Sequence, residues 1–478
     1  MGIDKIVFAA HSALLPSPDH GGNSLSSPEP VTIEASMTSG LITAVHKEFR
    51  DETAYDPASY KYVSVPIGCL LFPGLIDAHV HLNEPGRTAW EGFATGTDAA
   101  ASGGITTLID MPLNSIPPTT TVHNFKEKIE AAKGQCRVDV GFWGGVIPGN
   151  EDDLLPLVDA GVKGFKCFLI ESGVDEFPCV TADDLLKAMP KIQAADSLLL
   201  FHAELDCPAS RHAQSHPTHS TESHDPNMYS TFLNSRPAGF ETEAISLVAE
   251  LNTKFPTLKT HIVHLSAAEA LPIIVSARSS GLKLSTETCL HYLTLSNASI
   301  PDGQPEYKCC PPIRTLTNQD KLWKALLADE IDYIVSDHSP CTIDLKENCT
   351  LMEAWGGIGG LGLGISLIWT EGKKRDIKNL PGWILKWFCE RPAEQVKLDH
   401  LKGKIQVGAE CDLCIFDPNF SFEVTTSEIH FKNKISPYIG MRMEGRVIRT
   451  ILRTQPVFDL EKGGFTGIET FKTGRLLL

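Results

Sequence analysis

Eight short apolar runs, each too continuous to be one face of an amphipathic element, constrain this chain more than any other feature. In order they are CLLFPGLIDAHVHL (69–82), ITTLIDMP (105–112), VDVGFWGGV (138–146), GFKCFLI (164–170), LLLFHAE (198–204), KTHIVHLS (259–266), KLSTETCLHYL (283–293) and IDYIVSDHSP (331–340). Contiguous rather than alternating apolar residues mark a strand buried on both faces, as in a parallel sheet covered by helices. Between the runs lie stretches with helical patterning, among them VHNFKEKIEAAKG, FETEAISLVAELNTKF and NQDKLWKALLADE. Strand and helix alternating eight times predict an α/β fold, a (β/α)8 TIM barrel over residues 69–404.

The flanks differ. Residues 1–68 and 405–478 hold short alternating runs such as VTIEAS, LITAVHKE, DLCIFDP and RVIRTILR, broken by Gly, Pro and Ser. Both termini together are expected to form a small β-sandwich-like domain into which the barrel is inserted. PSPDHGGNSLSSPEP (16–30) reads as a surface loop.

With 42 Lys+Arg against 59 Asp+Glu the formal net charge is −17, which argues against a nucleic-acid partner. No stretch of about 18 apolar residues occurs, and MGIDKIVFAAHSALLPSP lacks the pattern of a secretory leader, so no membrane association and a cytoplasmic location are expected. The 13 cysteines are odd in number and scattered through strand-like runs, which suits buried reduced thiols. Cys411 and Cys414 have CxxC spacing, but in an extended segment positions i and i+3 face opposite ways, so core packing is expected there.

Polar residues sit near the C-terminal ends of the apolar runs: His79, His81, Lys166, His202, His264 and Asp337. In a (β/α)8 barrel those ends converge on one mouth, so residues from strands 1, 4, 5, 6 and 8 can meet there. His79 and His81, two apart on a strand, project from one face and suit a shared cation. Lys166 lies among Phe165, Cys167, Phe168, Leu169 and Ile170, where an ammonium must be paired, must reach the mouth, or must react with CO₂ to give an anionic carbamate. Asp337 needs a cation or donors to stay charged, and its second oxygen can take a proton from a metal-bound water and return it to a leaving nitrogen.

Taken together, His79-Val80-His81, Lys166, His202, His264 and Asp337 resemble the ligand set of the amidohydrolase superfamily, specifically its binuclear cyclic amidohydrolases. The resemblance implies a distorted barrel with a flanking β-domain and two divalent metal ions, with zinc first in expectation and Co, Mn, Fe or Ni also compatible. One metal would be held by His79, His81, Lys166 and Asp337, the other by Lys166, His202 and His264. Lys166 would be N6-carboxylated and bridge the pair, a hydroxide between the metals would attack the ring amide, and Asp337 would act as general base and then acid. A homo-oligomer, a tetramer, is the family expectation.

The sequences HLNEPGRTAWEGFATGTDAAASGGITTLIDMPLNSIPPT, GFKCFLIESGVDEF, YKCCPPIR, SDHSP and AWGGIGGLGLG are similar to those members of the family that open the hydantoin ring of allantoin to allantoate. Dihydroorotases carry Arg where this chain has Asn83 and Asn where it has Cys310, and dihydropyrimidinases carry Tyr where it has Glu171. Without a cationic anchor at Asn83, a carboxylate-bearing ring is disfavoured. Asn83, Arg87, Asn114, Ser172, Cys310 and Ser339 are the candidate substrate contacts, and His338 and Arg314 are candidates for orienting ligands. Other readings are a dihydropyrimidinase- or hydantoinase-like ureide hydrolase and a non-catalytic, assembly-forming relative. The Gly-rich run GGIGGLGLG is expected to pack closely near the mouth rather than bind a dinucleotide. His212, His216, His219 and His224 are read as part of an exposed loop without a designed metal site.

Overall fold

The computed structural model describes residues 3–17, 24–212, 225–466 and 473–478. All eight apolar runs become parallel barrel strands: Leu75–Val80, Ile105–Asp110, Asp139–Phe142 with Gly144–Gly145, Phe165–Phe168, Leu198–His202, Lys259–Ile262, Leu284–Cys289 and Tyr333–Val335. They are barrel strands 1 to 8 below. Each is followed by a helix, beginning with Phe93–Ser102 after strand 1 and ending with Gly364–Lys374 after strand 8. The ring closes between strands 8 and 1, where Val80 bridges His338 and the His81 amide donates to the His338 carbonyl at 2.8 Å.

Strand 3 distorts the barrel. Its first half pairs with strand 2, whereas Gly144–Gly145 pairs with strand 4. The free edge of the first half is taken by the C-terminal segment, with Val140 donating to the Arg475 carbonyl at 2.9 Å and Leu477 to the Val140 carbonyl at 2.8 Å. Backbone groups that strand 4 leaves unpaired are thereby satisfied.

The first run proves to be two strands. Leu70–Pro73 pairs antiparallel with Leu413–Phe416, outside the barrel, and only Leu75–Val80 enters it. Among the described residues the flank, expected to be β-sandwich-like, is a hydrogen-bonded sheet of nine strands drawn from both termini, and Phe8, Ile33, Leu71, Leu413 and Ile451 from those strands bury into one core of its own. Continuity comes from strand Lys5–Ala13, which pairs with Glu29–Ser36 on one side and with Tyr60–Ser64 and then Leu71 on the other. Glu29 and Pro30, expected in a loop, begin a strand, and residues 18–23 of that loop lie outside the described residues. All 13 cysteines are free, and Cys411 and Cys414 are buried. Among the described residues no helix is long and apolar enough to cross a membrane.

At the foot of the barrel a buried ionic cluster joins barrel and terminal sheet. Lys402 Nζ donates to Asp139 (2.8 Å), Glu410 (2.6 Å) and Asp412 (2.7 Å), and Arg453 pairs with Asp139 (2.5 Å). Three carboxylates out of water need both cations. Lys402→Met is therefore expected to destabilise the fold by roughly 3 kcal/mol, read as a lower urea midpoint, because breaking a buried pair strands charge of one sign. An unchanged midpoint would show that Arg453 alone suffices.

Candidate active site

The strand ends deliver the polar residues to one place. His79, His81, Lys166, His202, His264 and Asp337 all line a single cavity of about 550 Å³, and all are buried. Ring centroids of His79 lie 5.5 Å from His81 and 5.4 Å from His264, and His202 is 4.5 Å from His264. Asp337 Oδ1 faces both strand-1 imidazoles, 3.1 Å from His79 Nε2 and 3.5 Å from His81 Nε2. His79, His81 and Asp337 thus offer ligand atoms within 4.8 Å of one another. His264 (φ 67°) and Asp337 (φ 45°) both sit in the left-handed region, a strained placement held by the surrounding strands.

Carboxylates behind the imidazoles fix which nitrogen faces the cavity. Glu287 lies 2.5 Å from His79 Nδ1 and 3.1 Å from His261 Nε2, and Glu204 lies 2.8 Å from His202 Nε2. Burial works against charge on Glu287, yet His79 and His261 hold its pKa down to about 2. A carboxylate accepting from one ring nitrogen leaves the other bare, as a metal ligand must be. The buried His264 Nδ1 has no hydrogen-bond partner among the described residues, whereas His79 Nε2 faces Asp337 Oδ1; against the effect of burial, Asp337 and Glu287 raise His79 to about 9. Burial pushes His202 down to about 4 and His264 well below its ordinary value, so both favour the neutral form that can ligate.

Asn114 Nδ2 lies 3.3 Å from His81 Nδ1 while the buried Asn114 Oδ1 has no partner. Turning the carboxamide over lets Oδ1 accept from Nδ1–H, which satisfies the orphan and leaves His81 Nε2 bare.

The Lys166 ammonium makes no hydrogen bond or ion pair with any described residue and sits 5.1 Å over the Phe168 ring. Burial depresses it to about 8, so the neutral amine is far more accessible near pH 7 than on an ordinary lysine, though still the minor form. A buried lysine of this kind, beside bare imidazole nitrogens, fits an anion-bridged cation pair; the donor set is the right chemistry for divalent metals.

Of the candidate substrate contacts, Asn114, Ser172, Cys310 and Ser339 line the cavity. Asn83 and Arg87 do not. Asn83 occupies a left-handed turn (φ 63°) with its amide 3.4 Å from the Pro340 carbonyl, and Arg87 donates to the Asn114 carbonyl and to Glu176 while lying over Trp90. Both shape the loops around the mouth. Ser172 also serves its own loop, donating to Phe177 O at 2.6 Å. His338 faces Glu91 (3.2 Å) and accepts from the Gly360 amide, holding the Gly-rich loop. A Cβ at Gly357 would come within 2.2 Å of the Ser339 carbonyl, so that glycine is required by close packing at the cavity wall. Arg314 binds Glu241 (2.8 Å), which accepts from the Ser266 and Ala267 amides just beyond His264. His216, His219 and His224 lie outside the described residues, as does the side chain of His212.

Sequence reasoning passed over Glu204, Glu287, Arg236 and Lys308. The two glutamates carry the signal that picked out the histidines, a polar residue inside an apolar run. Arg236 and Lys308 lie in connections, where no periodicity marks them, and both line the cavity.

A family model, amidohydrolase family, matches residues 70–464, spanning the barrel and most of the C-terminal flank. The chain belongs to the amidohydrolase family. This amidohydrolase is 46% identical over 444 residues to the allantoinase of Saccharomyces cerevisiae, covering 91% of this chain and 93% of that one. It is 45% identical over 398 residues to the allantoinase of Streptomyces avermitilis, covering 83% and 86%. Among solved structures, the L-hydantoinase (dihydropyrimidinase) from Arthrobacter aurescens superposes with a TM-score of 0.86 at 26% identity, over 99% of this chain and 100% of that chain. The amidohydrolase fold, the hydrolase class and a small-molecule cavity with metal-binding residues follow for this chain.

Proposed function

We propose that this amidohydrolase opens the ring amide of allantoin, a neutral hydantoin with a ureido arm, to give allantoate. The likeness to the allantoinases of yeast and Streptomyces over most of the chain carries this reading. The residues fit a pair of divalent cations, one held by His79, His81, Lys166 and Asp337 and one by Lys166, His202 and His264, with Lys166 shared as its carbamate. The Lys166 amine and the His264 Nδ1, both without a hydrogen-bond partner among the described residues, and the facing of Asp337 Oδ1 to the strand-1 imidazoles support that assignment. Bound there, the cations supply an acidified water and polarise the ring carbonyl.

This chain's own groups do the rest. Asp337 Oδ1 faces the strand-1 imidazoles, and Oδ2 has no hydrogen bond to a described residue, so Oδ2 is placed to take a proton and hand it to the leaving ring nitrogen. Glu204, Glu287 and Asn114 keep His202, His79 and His81 in the ligating tautomer. Trp355 and Phe240 wall the cavity, which limits water around the reacting ring.

Turnover of allantoin, hydantoin, dihydrouracil and dihydroorotate by one metal-replete preparation tests the reading. The kcat/KM for allantoin is expected to exceed each of the others by at least about tenfold, the discrimination that one well-placed hydrogen bond supports. If any of the three matches allantoin, the substrate assignment falls and only the cyclic-amidase class stands.

A further inference from the structure

Six lysines are buried among the described residues: Lys128, Lys166, Lys308, Lys346, Lys386 and Lys402. Three have carboxylate partners, Lys128 on Asp110 (2.6 Å), Lys386 on Asp329 (2.7 Å) and Lys402 on its three acids. Lys346 lies outside the main cavity and donates to two carbonyls, of Pro305 (2.8 Å) and Gly357 (2.9 Å). Lys166 belongs to the hydrolytic cluster. Lys308 is different from all of these. It is 7% exposed and lines the cavity, its ammonium lies 5.2 Å over the Phe232 ring, and among the described residues that ammonium donates only to the Met352 carbonyl, at 2.6 Å. It makes no ion pair with a described carboxylate; Glu353, in the same cavity wall, acts on it through its charge alone. The neighbouring cation in the wall, Arg236, is already taken by Glu204 at 2.5 Å.

An ammonium removed from water with donors to spare must find an acceptor or lose stability. A second donor lies in the same wall. Trp355 Nε1 is buried without a partner, and Trp355 belongs to the loop that Lys308 anchors through Met352. A ligand that satisfies both presents carbonyl oxygen to a part of the cavity built from the connections after strands 7 and 8. The hydrolytic cluster claims one of the two ring carbonyls; the second ring carbonyl and the carbonyl of the exocyclic substituent remain as acceptors, and the substituent is the one that extends away from the ring toward the loops.

Resting on the allantoin reading, we propose that Lys308 is a specificity-determining residue whose ammonium donates to the carbonyl oxygen of the substrate's exocyclic ureido arm, with Trp355 as the companion donor. The interaction is present in ground state and transition state alike, so it sets KM rather than kcat.

The test uses the full-length, metal-loaded enzyme and compares allantoin as substrate with hydantoin, the same ring without the arm, as competitive inhibitor. Lys308→Met is expected to raise KM for allantoin about ten- to hundredfold, the scale of a hydrogen bond to a charged group, with kcat changed less than about threefold. The hydantoin inhibition constant and the metal content should stay within about twofold of the parent, and Lys308→Arg should recover most of the lost affinity. A parallel rise in the hydantoin constant would show that Lys308 serves the second ring carbonyl or only props the Met352 loop, and an unchanged allantoin KM would show that it touches no arm; either result overturns the proposal. If the parent enzyme does not hydrolyse allantoin, the functional reading itself fails, a result separate from both.

Discussion

Lys166→Ala is expected to lose most of its bound metal and nearly all of its turnover. Lys166 lines the cavity from strand 4, its ammonium buried and with no hydrogen bond or ion pair to any described residue. If it is the shared anion, its removal leaves two cations facing each other between neutral imidazoles, with only Asp337 to offset them. Catalytic charge stabilisation by a metal is worth several kcal/mol, so turnover should fall by more than about 10³-fold. Metal per chain by elemental analysis and steady-state kinetics on the same sample read both effects, and the intact parent chain should carry about 44 extra daltons on Lys166, one CO₂. A variant with its full metal complement and ordinary activity would sink the bridging role.

Asp337→Asn is expected to separate proton transfer from metal binding. The carboxamide keeps the shape and one oxygen ligand but cannot accept a proton. Turnover should fall by about 10²–10⁴, the range for general acid–base catalysis, while metal is retained better than in Lys166→Ala. Asp337 sits between His79 and His81, so a part of any loss comes from weaker ligation; the metal content corrects for it. Near-normal turnover across pH in this variant would mean that another group carries the proton.

Both outcomes bear on residues that were visible from the apolar runs, whereas the wall of the cavity was not. Asn83 was the position from which rejection of a carboxylate-bearing ring was argued, yet it holds a turn outside the cavity. Besides Lys166, the lysine and arginine side chains lining the cavity are Lys308 and Arg236, and Lys308 makes no ion pair with a described carboxylate. On the allantoin reading, discrimination against dihydroorotate is therefore expected to rest on fit to the arm and not on the absence of positive charge. Arg87 likewise turned to Glu176 and Trp90. Connections bend wherever their own hydrogen bonds allow, so chain position next to a strand end does not fix where a side chain goes.

The sequence by itself determined the eight barrel strands, their parallel arrangement, and the gathering of His79, His81, Lys166, His202, His264 and Asp337, because strand burial writes a continuous apolar pattern and a polar residue inside such a pattern stands out. Only the tertiary structure decided that Leu70–Pro73 leaves the barrel for the terminal sheet, that the C-terminal segment fills the edge of strand 3, that Glu204 and Glu287 stand behind the imidazoles, and that Lys308 faces the cavity without an ion pair to any described residue. These depend on which distant backbone edge or charge comes within about 3 Å, and pairing across hundreds of residues leaves no periodic trace in a single chain.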